Sequence, residues 1–348
     1  MKDAQGGIIY VGKSKCLRKR VQSYFYENAS HAPKIKKLVR HVKEIEVRQT
    51  DTEFEALMLE CSLIHAFKPM YNRKMKNPSS YSYIVIPTAD GLRRTEITHL
   101  PLPAVDCVVF GPYTASRNTV EKAVQAIYDC FKIACNHTAG GALTPCLNYS
   151  LGLCLGMCLG GDGLNVYNRL MTRFIGMLDG SDESLLEDMQ QQMMEAAKNF
   201  DFEKAAKFRD AIRSADFLKH KEKVISFAEQ NRNIVIYELI DEVTIKVFWI
   251  KRSSVLFSRQ FLSAGDPSMP LHTEVMELSR ECFTRNEEAY TAEIGREEID
   301  EAQIIYSYIA QHAGRVLTIP DEWLQEAHAG ELSAAITQWL TDWQPRTR

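Results

Sequence analysis

Residues 7–25 have the sequence GIIYVGKSKCLRKRVQSYF. The run Gly7–Gly12 is short and apolar and has glycine at both ends, which predicts a strand that ends in a tight turn. Leu17, Val21 and Tyr24 then occupy positions i, i+4 and i+7, which form one face of a helix. The segment therefore predicts a strand, a turn and a basic helix in succession.

Helical and strand patterns follow each other along the rest of the chain. Residues 34–47 predict a helix that leads into a strand at Glu44–Val47. Glu53–Phe67 predict a helix that Pro69 ends, because proline has no amide donor. The other predicted elements are strands at 83–87 and 107–110, a turn at Gly111-Pro112, a helix at 117–133, two helical runs within 184–219, a β-hairpin of 233–249 with 253–262, and mostly helix over 270–345 with a break at Pro320.

Composition describes a globular chain with an uneven charge. Of the 348 residues, 45% are hydrophobic and 25% are charged, which excludes wholesale disorder. No window approaches the roughly 18 uninterrupted apolar residues of a membrane span, and the first residues lack the order of a signal peptide. We therefore expect a cytoplasmic protein with no membrane partner. The net charge is −3, yet residues 1–50 hold twelve Lys or Arg against four Asp or Glu, which predicts an anionic partner for this segment.

Several side chains near the N-terminus suit phosphodiester cleavage. Arg20 and Tyr24 are four residues apart and share a helical face, while Tyr10 and Lys13 flank the glycine turn. Glu60 lies on a later helix among apolar neighbours. A carboxylate binds a hard divalent cation, cations neutralise phosphate charge, and a phenol can take a proton from water. The alternative is a core tyrosine, a solvated glutamate and a solvated basic face.

Four of the nine cysteines lie close together in a segment rich in Gly, Pro, Asn and Thr. Ten, seven and three residues separate Cys135, Cys146, Cys154 and Cys158. Disulfides are a poor interpretation without a secretory signal. Four thiolates can hold either tetrahedral zinc or an iron–sulfur cluster, and the spacing alone does not choose between them. Four unrelated buried cysteines are the remaining alternative.

Residues 184–219 predict a helical hairpin. Ser184-x-x-Glu187 predicts a capping box for the first helix, and Asp201 predicts the N-cap of the second. The connection falls at Asn199-Phe200-Asp201, and an ordinary hairpin inside a core would satisfy the pattern. The apolar positions on one face of the second helix are Phe202, Ala205, Ala206 and Ile212.

Taken together, these motifs resemble the UvrC subunit of the bacterial nucleotide-excision repair nuclease. Order and spacing both match over residues 1–220, and the likeness weakens through the hairpin at 233–262. The resemblance rests on Tyr10-Val11-Gly12-Lys13, Leu17-Arg18-Lys19-Arg20-Val21-x-x-Tyr24-Phe25, Glu55-Ala56-Leu57-Met58-Leu59-Glu60, Pro69-x-Tyr71-Asn72, Gly111-Pro112-Tyr113, Phe131-Lys132-Ile133, Pro145-Cys146-Leu147, Cys154-x-x-x-Cys158, and Phe202-Glu203-Lys204-Ala205-Ala206-x-x-Arg209-Asp210.

For the N-terminal motifs, the resemblance implies a GIY-YIG nuclease that makes the incision on the 3′ side of a lesion in damaged double-stranded DNA. Tyr10 would be the general base, Glu60 would hold one Mg²⁺ or Mn²⁺, and Tyr24 and Asn72 would complete the pocket. Lys13 and Arg20 would stabilise the phosphate and the transition state. The implied DNA-binding residues are Lys13, Lys15, Arg18, Lys19 and Arg20.

The resemblance also implies a cluster and a protein partner. Cys135, Cys146, Cys154 and Cys158 would hold a [4Fe–4S] cluster, with Zn²⁺ as the less favoured occupant. The helical hairpin would be a UVR motif that binds UvrB. Phe202 would be its anchor, supported by Ala205 and Ala206, and Arg209 with Asp210 would form the polar specificity pair.

We therefore expect an α+β chain with several segments. Residues 1–80 would form a small GIY-YIG α/β nuclease domain, whose first family strand lies upstream of the position of Met1. Residues 81–165 would form a linker region with the Cys-rich segment, and 184–219 the UVR hairpin. Residues 220–348 would resemble the UvrC middle segment, with a β-hairpin, helices and no RNase H-like nuclease. The chain then resembles the N-terminal half of UvrC or a short Cho-like homologue.

Two other function classes remain open. One is a UvrB-binding regulator with a catalytically impaired nuclease fold and an iron–sulfur cluster. The other is a redox-sensing iron–sulfur protein that regulates such a partner.

Overall fold

Helices and two antiparallel sheets alternate along the chain, so the fold is α+β, as predicted. One sheet has three strands, in the spatial order 96–98, 82–87 and 107–113, and the other has four, in the order 254–262, 244–251, 233–239 and 316–319. The computed structural model describes residues 1–26, 31–72, 81–88, 93–99, 106–133, 144–145, 147–262, 270–285 and 295–341.

The chain divides into two units. Unit 1 comprises Met1–Asn77 and Ser226–Arg348, and unit 2 comprises Pro78–Ile225. The elements that begin in unit 1 are α1 (Leu17–Phe25), α2 (Pro33–His41), α3 (Glu53–Phe67), β4 (Asn233–Leu239), β5 (Thr244–Lys251), β6 (Ser254–Leu262), α9 (Leu271–Thr284), α10 (Arg296–Gln311), β7 (Val316–Ile319) and α11 (Ala329–Thr341). Those that begin in unit 2 are β1 (Ser82–Pro87), β2 (Glu96–Thr98), β3 (Cys107–Tyr113), α4 (Arg117–Phe131), α5 (Leu147–Ser150), α6 (Gly161–Asp179), α7 (Ser184–Lys198) and α8 (Phe202–Glu229).

The two strands predicted near the N-terminus are wrong within the described residues. Gly7–Gly12 and Glu44–Val47 contain only isolated bridges, which pair Lys2 with Ile8 and Lys2 with Glu44. Each segment forms a single bridge, in both cases to Lys2, whereas a ladder needs several successive residue pairs.

The sheet of unit 1 is larger than the predicted hairpin. β4, β5 and β6 form a meander, and β7 pairs with β4 at the other side, with Asn233 opposite Ile319. Nearly every residue of β5 is buried, so both faces of the sheet are covered. The four-residue strand β7 also interrupts the helical region predicted over 270–345.

Each face of this sheet has its own apolar core. On one face, Phe54 of α3 packs against Phe248 of β5 and Tyr308 of α10, with ring centroids 5.1 Å and 4.8 Å away. On the other face, Trp249 packs in a core that includes Phe283 of α9 and Ile336 of α11. Burial of each large side chain contributes about 1.5–3 kcal/mol. The sheet of residues 233–319 therefore supports α3, which carries Glu60.

In unit 2 the turn predicted at Gly111-Pro112 is wrong, because β3 continues through both residues to Tyr113. The register between β1 and β3 shifts between Ser82 and Ile84, and Gly111 has a φ of +118°. Such an irregularity at an edge strand accommodates glycine and proline. The core beneath this sheet is built from α4, α6, α7 and α8.

The helical hairpin of unit 2 confirms one predicted cap and corrects the other. The Asp201 carboxylate accepts a hydrogen bond from the Lys204 amide at 3.0 Å, as expected for the N-cap of α8. The capping box at Ser184 is wrong, because Ser184 is the first residue of α7. The N-cap is Glu183, whose side chain makes no capping hydrogen bond, and the Ser184 amide donates instead to the Asp182 carboxylate at 2.8 Å.

Candidate active site

A cavity of about 560 Å³ lies in unit 1, between α1, the loop before it and α3. Five of the six predicted catalytic side chains line it: Tyr10, Lys13, Arg20, Tyr24 and Glu60. Residues that are 50 positions apart in the chain thus meet at one surface. Their convergence depends on how the loop and the two helices are held.

Helix α3 is fixed at both ends. Its N-cap Thr52 accepts a hydrogen bond from the Glu55 amide at 3.1 Å. Lys246 of β5 is buried and donates to Asp51 at 2.6 Å and to Glu55 at 2.9 Å. At the other end, Lys68 has a left-handed conformation and precedes Pro69, as the sequence predicted. These contacts hold the helix that presents Glu60 to the cavity.

Asn72, the sixth predicted catalytic residue, does not line the cavity and instead contacts the loop that follows Tyr10. Its side-chain amide donates to the Val11 carbonyl at 3.0 Å and accepts from the Val11 amide at 3.0 Å. A paired contact of this kind copies the pattern of a β-ladder. Asn72 therefore fixes the backbone that follows Tyr10.

The two tyrosines and Arg20 form one group. The Tyr24 hydroxyl donates to the Tyr10 hydroxyl at 3.1 Å, and the rings meet edge to face. The Arg20 guanidinium lies 5.1 Å from the centre of the Tyr24 ring. Burial, together with the hydrogen bond to Tyr10, raises the pKa of Tyr24 to about 12. Tyr24 therefore stays a hydrogen-bond donor at neutral pH, and Tyr10 is the acceptor.

The positive charges of Lys13 and Arg20 act on Glu60 but do not outweigh the effect of its burial. Its carboxylate is half-buried, and the Lys13 amide donates to it at 3.3 Å. Burial raises the pKa of Glu60, because the desolvated anion is disfavoured. A divalent cation would offset that cost, so the donor set fits an oxygen-binding metal such as Mg²⁺ or Mn²⁺.

The predicted basic residues have different surroundings. The Lys13 and Lys15 ammonium groups pair with Glu53 at 3.0 Å and 2.7 Å. Arg18 and Lys19 are exposed on α1. The sequence analysis missed Glu53, which is the first residue of α3 and was noted only as a helix start. It neutralises part of the basic cluster in this structure.

The cysteine cluster is only partly within the described residues. Cys135 and Cys146 lie outside them. Cys154 and Cys158 lie near the 3₁₀ turn at Met157–Leu159 and are both buried. The Cys154 thiol accepts a hydrogen bond from the Gly156 amide at 3.4 Å.

The second predicted site is at the tip of the α7–α8 hairpin. Phe202 is 67% exposed, and Phe200 beside it is 79% exposed, with ring centroids 6.2 Å apart. Ala205 and Ala206 are half-buried, and Arg209 pairs with its neighbour Asp210 at the surface. The apolar contacts that α8 makes inside unit 2 use a different set of side chains, Phe208, Ala211, Ala215 and Leu218.

The sequence analysis placed Phe200 only in the connection and missed Met194, which is 54% exposed near the end of α7. Apolar residues next to a helix connection are the signal that could have identified both. We call Met194, Phe200 and Phe202 the hairpin tip. Every helix in the described part of the chain is too short or too polar to cross a bilayer.

Three family models match consecutive parts of the chain. Residues 1–73 match the UvrC-like GIY-YIG domain. Residues 81–177 match the middle domain of UvrC/Cho excinucleases, and residues 183–216 match the UvrB/UvrC motif. No solved structure matches the chain.

Curated relatives extend the similarity beyond residue 220. The UvrABC system protein C of Acetivibrio thermocellus is 31% identical over 320 residues, which cover 90% of this chain and 51% of that protein. The protein of the same name from Moorella thermoacetica is 32% identical over 325 residues, or 92% of this chain and 52% of the relative. The chain thus spans about half the length of these relatives. The chain belongs to the UvrC family.

Proposed function

We propose that this chain is an endonuclease of nucleotide-excision repair that hydrolyses a phosphodiester bond on the 3′ side of a lesion in DNA. The observation that carries the proposal is the convergence of Tyr10, Lys13, Arg20, Tyr24 and Glu60 around one cavity. Phenols, cations and a desolvated carboxylate are the groups that this reaction needs.

Tyr10 acts as the general base in its phenolate form. It takes a proton from water as the water oxygen bonds to phosphorus and an ester P–O bond breaks. Tyr24 supports the base, because its hydroxyl donates to the Tyr10 oxygen and its own pKa of about 12 keeps it protonated. Asn72 holds the following backbone and so fixes the position of Tyr10.

The cations of the cavity bind the phosphate. Lys13 and Arg20 offset its charge, which grows in the transition state. Arg18, Lys19 and Lys15 extend this basic surface along DNA, where each phosphate contact adds salt-dependent affinity. Glu60 would hold one Mg²⁺ or Mn²⁺, which supplies electrostatic stabilisation of the developing negative charge.

Substitution of Glu60 tests this assignment. Glu60→Gln keeps the side-chain shape, and we expect it to reduce nicking of a lesion-containing duplex, with UvrB and Mg²⁺ present, by about 100-fold or more. Glu44→Gln is the matched control, because Glu44 is an exposed carboxylate of the same unit. Equal nicking by Glu60→Gln and the unmodified chain would contradict the assignment. If the unmodified chain binds UvrB but does not nick DNA, a catalytically impaired regulator that binds UvrB becomes the better interpretation.

UvrB is the proposed protein partner, and the exposed aromatic pair Phe200 and Phe202 supports this. Large apolar side chains on a surface are typical anchors of protein interfaces. Co-elution of the chain with UvrB tests the proposal, and loss of co-elution in Phe202→Ala is the expected result.

A [4Fe–4S] cluster held by Cys135, Cys146, Cys154 and Cys158 is the proposed second cofactor. The burial of Cys154 and Cys158 supports it, because cluster thiolates are shielded from water. Broad visible absorption after anaerobic purification, lost in Cys154→Ser, is expected. Colourless protein that contains zinc would favour the alternative occupant.

A further inference from the structure

A second group of metal-binding side chains lies in unit 1, on the buried side of α3. Cys61 and His65 are four residues apart on α3, and Glu301 is on α10. One ligand atom from each, the thiol sulfur, a ring nitrogen and a carboxylate oxygen, all lie within 4.8 Å of one another. None of these residues belongs to the nuclease cavity.

The distances suit a small cation. Zinc is bound at about 2.0–2.3 Å, so its tetrahedral ligands are roughly 3.3–3.8 Å apart. The Cys61 sulfur is 3.9 Å from the His65 Nδ1 atom, which nearly meets that requirement already. The Glu301 oxygen lies at most 4.8 Å from the other two ligand atoms, about 1 Å more than zinc ligands require. Rotation of the glutamate side chain can supply that shift.

The histidine is already oriented for binding. Its Nε2 atom is 3.3 Å from the Asp300 carboxylate, and both residues are buried. A metal-binding histidine commonly donates its second ring nitrogen to a carboxylate, which fixes the ring and its tautomer. The Cys61 sulfur lies 3.9 Å from both ring nitrogens, and Nδ1 is the nitrogen that the contact with Asp300 leaves for a metal ion.

The surroundings carry excess negative charge. Glu297 and Glu298 have cationic partners in Lys68 and Arg252. Glu301 forms no ion pair or hydrogen bond with the residues that the structure describes, and burial raises its pKa. A half-buried carboxylate beside a thiol and an imidazole is a place where a divalent cation lowers the free energy.

We propose that Cys61, His65 and Glu301 bind one Zn²⁺ ion, with Asp300 orienting His65. Sulfur, nitrogen and oxygen donors together favour zinc over Mg²⁺, which prefers oxygen alone. The ion clamps α3 to α10 and thereby fixes the helix on which Glu60, the residue before Cys61, faces the cavity. Metal binding at this site can be measured separately from the proposed nuclease activity, because Glu60 is not one of its ligands.

Zinc content of the full chain tests the site. The protein is stripped with a chelator, reloaded with Zn²⁺, desalted and assayed for bound metal. We expect one zinc per chain fewer in Cys61→Ser and in His65→Ala than in the unmodified protein. Cys282→Ser, which removes a half-buried thiol elsewhere in the same unit, should not change the content. Zinc held by the Cys135–Cys158 segment is present in all of these proteins, so it cancels when the zinc content of a variant is subtracted from that of the unmodified protein.

Cobalt provides a second, spectroscopic measurement. Co²⁺ in the site should add thiolate-to-cobalt charge-transfer absorption to the spectrum, and Cys61→Ser should lose that part of the absorption. Glu301→Gln should keep that absorption and weaken the affinity for Co²⁺ at least tenfold. Glu297→Gln should change the affinity for Co²⁺ by less than twofold. Unchanged zinc content in Cys61→Ser and His65→Ala, or cobalt–thiolate absorption as strong in Cys61→Ser as in the unmodified protein, would overturn the proposal.

Discussion

The cavity of unit 1 and the hairpin tip place their side chains in opposite environments. In the cavity, polar groups such as Tyr24 and Glu60 are partly or wholly removed from water. At the hairpin tip, Phe200 and Phe202 are mostly in water. Each arrangement has a cost in the isolated chain, since polar groups prefer hydration and aromatic rings prefer burial.

The difference shows what each site still needs. In the cavity, Lys13 and Arg20 do not fully offset the desolvation of the Glu60 carboxylate, so the cavity suits a further cation and a phosphate. The tip lacks an apolar cover, so it suits another protein surface. Substitutions in the cavity should therefore change reaction rate, whereas substitutions at the tip should change only association.

The largest expected effect concerns Tyr10. Tyr10→Phe removes the oxygen that accepts the proton from water, and we expect the nicking rate to fall about 10²–10⁴-fold. Tyr26→Phe, which removes an exposed phenol at the end of α1, should leave the rate unchanged. Single-turnover nicking of a lesion-containing duplex measures both. If Tyr10→Phe lowers the nicking rate less than threefold while Tyr24→Phe lowers it more, then Tyr24 is the base and Tyr10 supports it.

A smaller effect is expected for Phe202, and on binding alone. Phe202→Ala should weaken the affinity for UvrB by about 2 kcal/mol, or roughly 30-fold, as is typical of an aromatic anchor. Its free energy of unfolding should change by less than about 0.5 kcal/mol, because the ring is exposed. Titration calorimetry and urea unfolding measure the two quantities. Leu239→Ala, at another exposed apolar position, is the control. Equal weakening by both variants would remove the special role of the hairpin tip.

Local sequence patterns were sufficient to predict helices whose ends are marked by a capping residue or a proline. The end of α3 before Pro69 and the Asp201 cap of α8 follow from residues within one turn. The strands at Gly7–Gly12 and Glu44–Val47 failed because a strand depends on a partner that local alternation does not reveal. The four-residue strand β7 was too short to produce a pattern.

Contacts between distant segments account for the rest. The packing of α3 on the sheet depends on Phe248 and Lys246, which are almost 200 residues away in the chain. No periodicity within α3 encodes them. The convergence of Tyr10, Arg20 and Glu60 was anticipated from the family resemblance rather than from geometry, and the roles of these residues stay predictions. The exposure of Phe200 and the cluster of Cys61 with Glu301 also required the structure.

A more modest change in rate is expected for Tyr24. Tyr24→Phe removes the hydroxyl that donates to Tyr10, so the base loses a group that stabilises its anionic form. We expect about a tenfold lower rate at neutral pH. Tyr26→Phe, which makes the same change at an exposed tyrosine at the end of the same helix, should leave the rate unchanged. A rate in Tyr24→Phe within twofold of the unmodified chain would show that the donor does not act on the base.

The smallest expected effect compares an ion pair of each unit. The hydrogen bond from buried Lys246 lowers the pKa of Asp51, whereas Asp210 pairs with the exposed Arg209. Because the folded-state pKa of Asp51 lies below its unfolded value, its stabilisation is present above about pH 4 and is lost as the pH falls through the folded-state pKa.

Asp51→Asn should therefore reduce the free energy of unfolding by about 1 kcal/mol at pH 7 and by less at pH 3, since the Asp51 carboxylate is partly exposed. Asp210→Asn should give a change near zero at both pH values. Urea unfolding at the two pH values measures the differences. Equal effects of the two variants would mean that the ion pair between Asp51 and the buried ammonium of Lys246 adds nothing to the anchoring of α3.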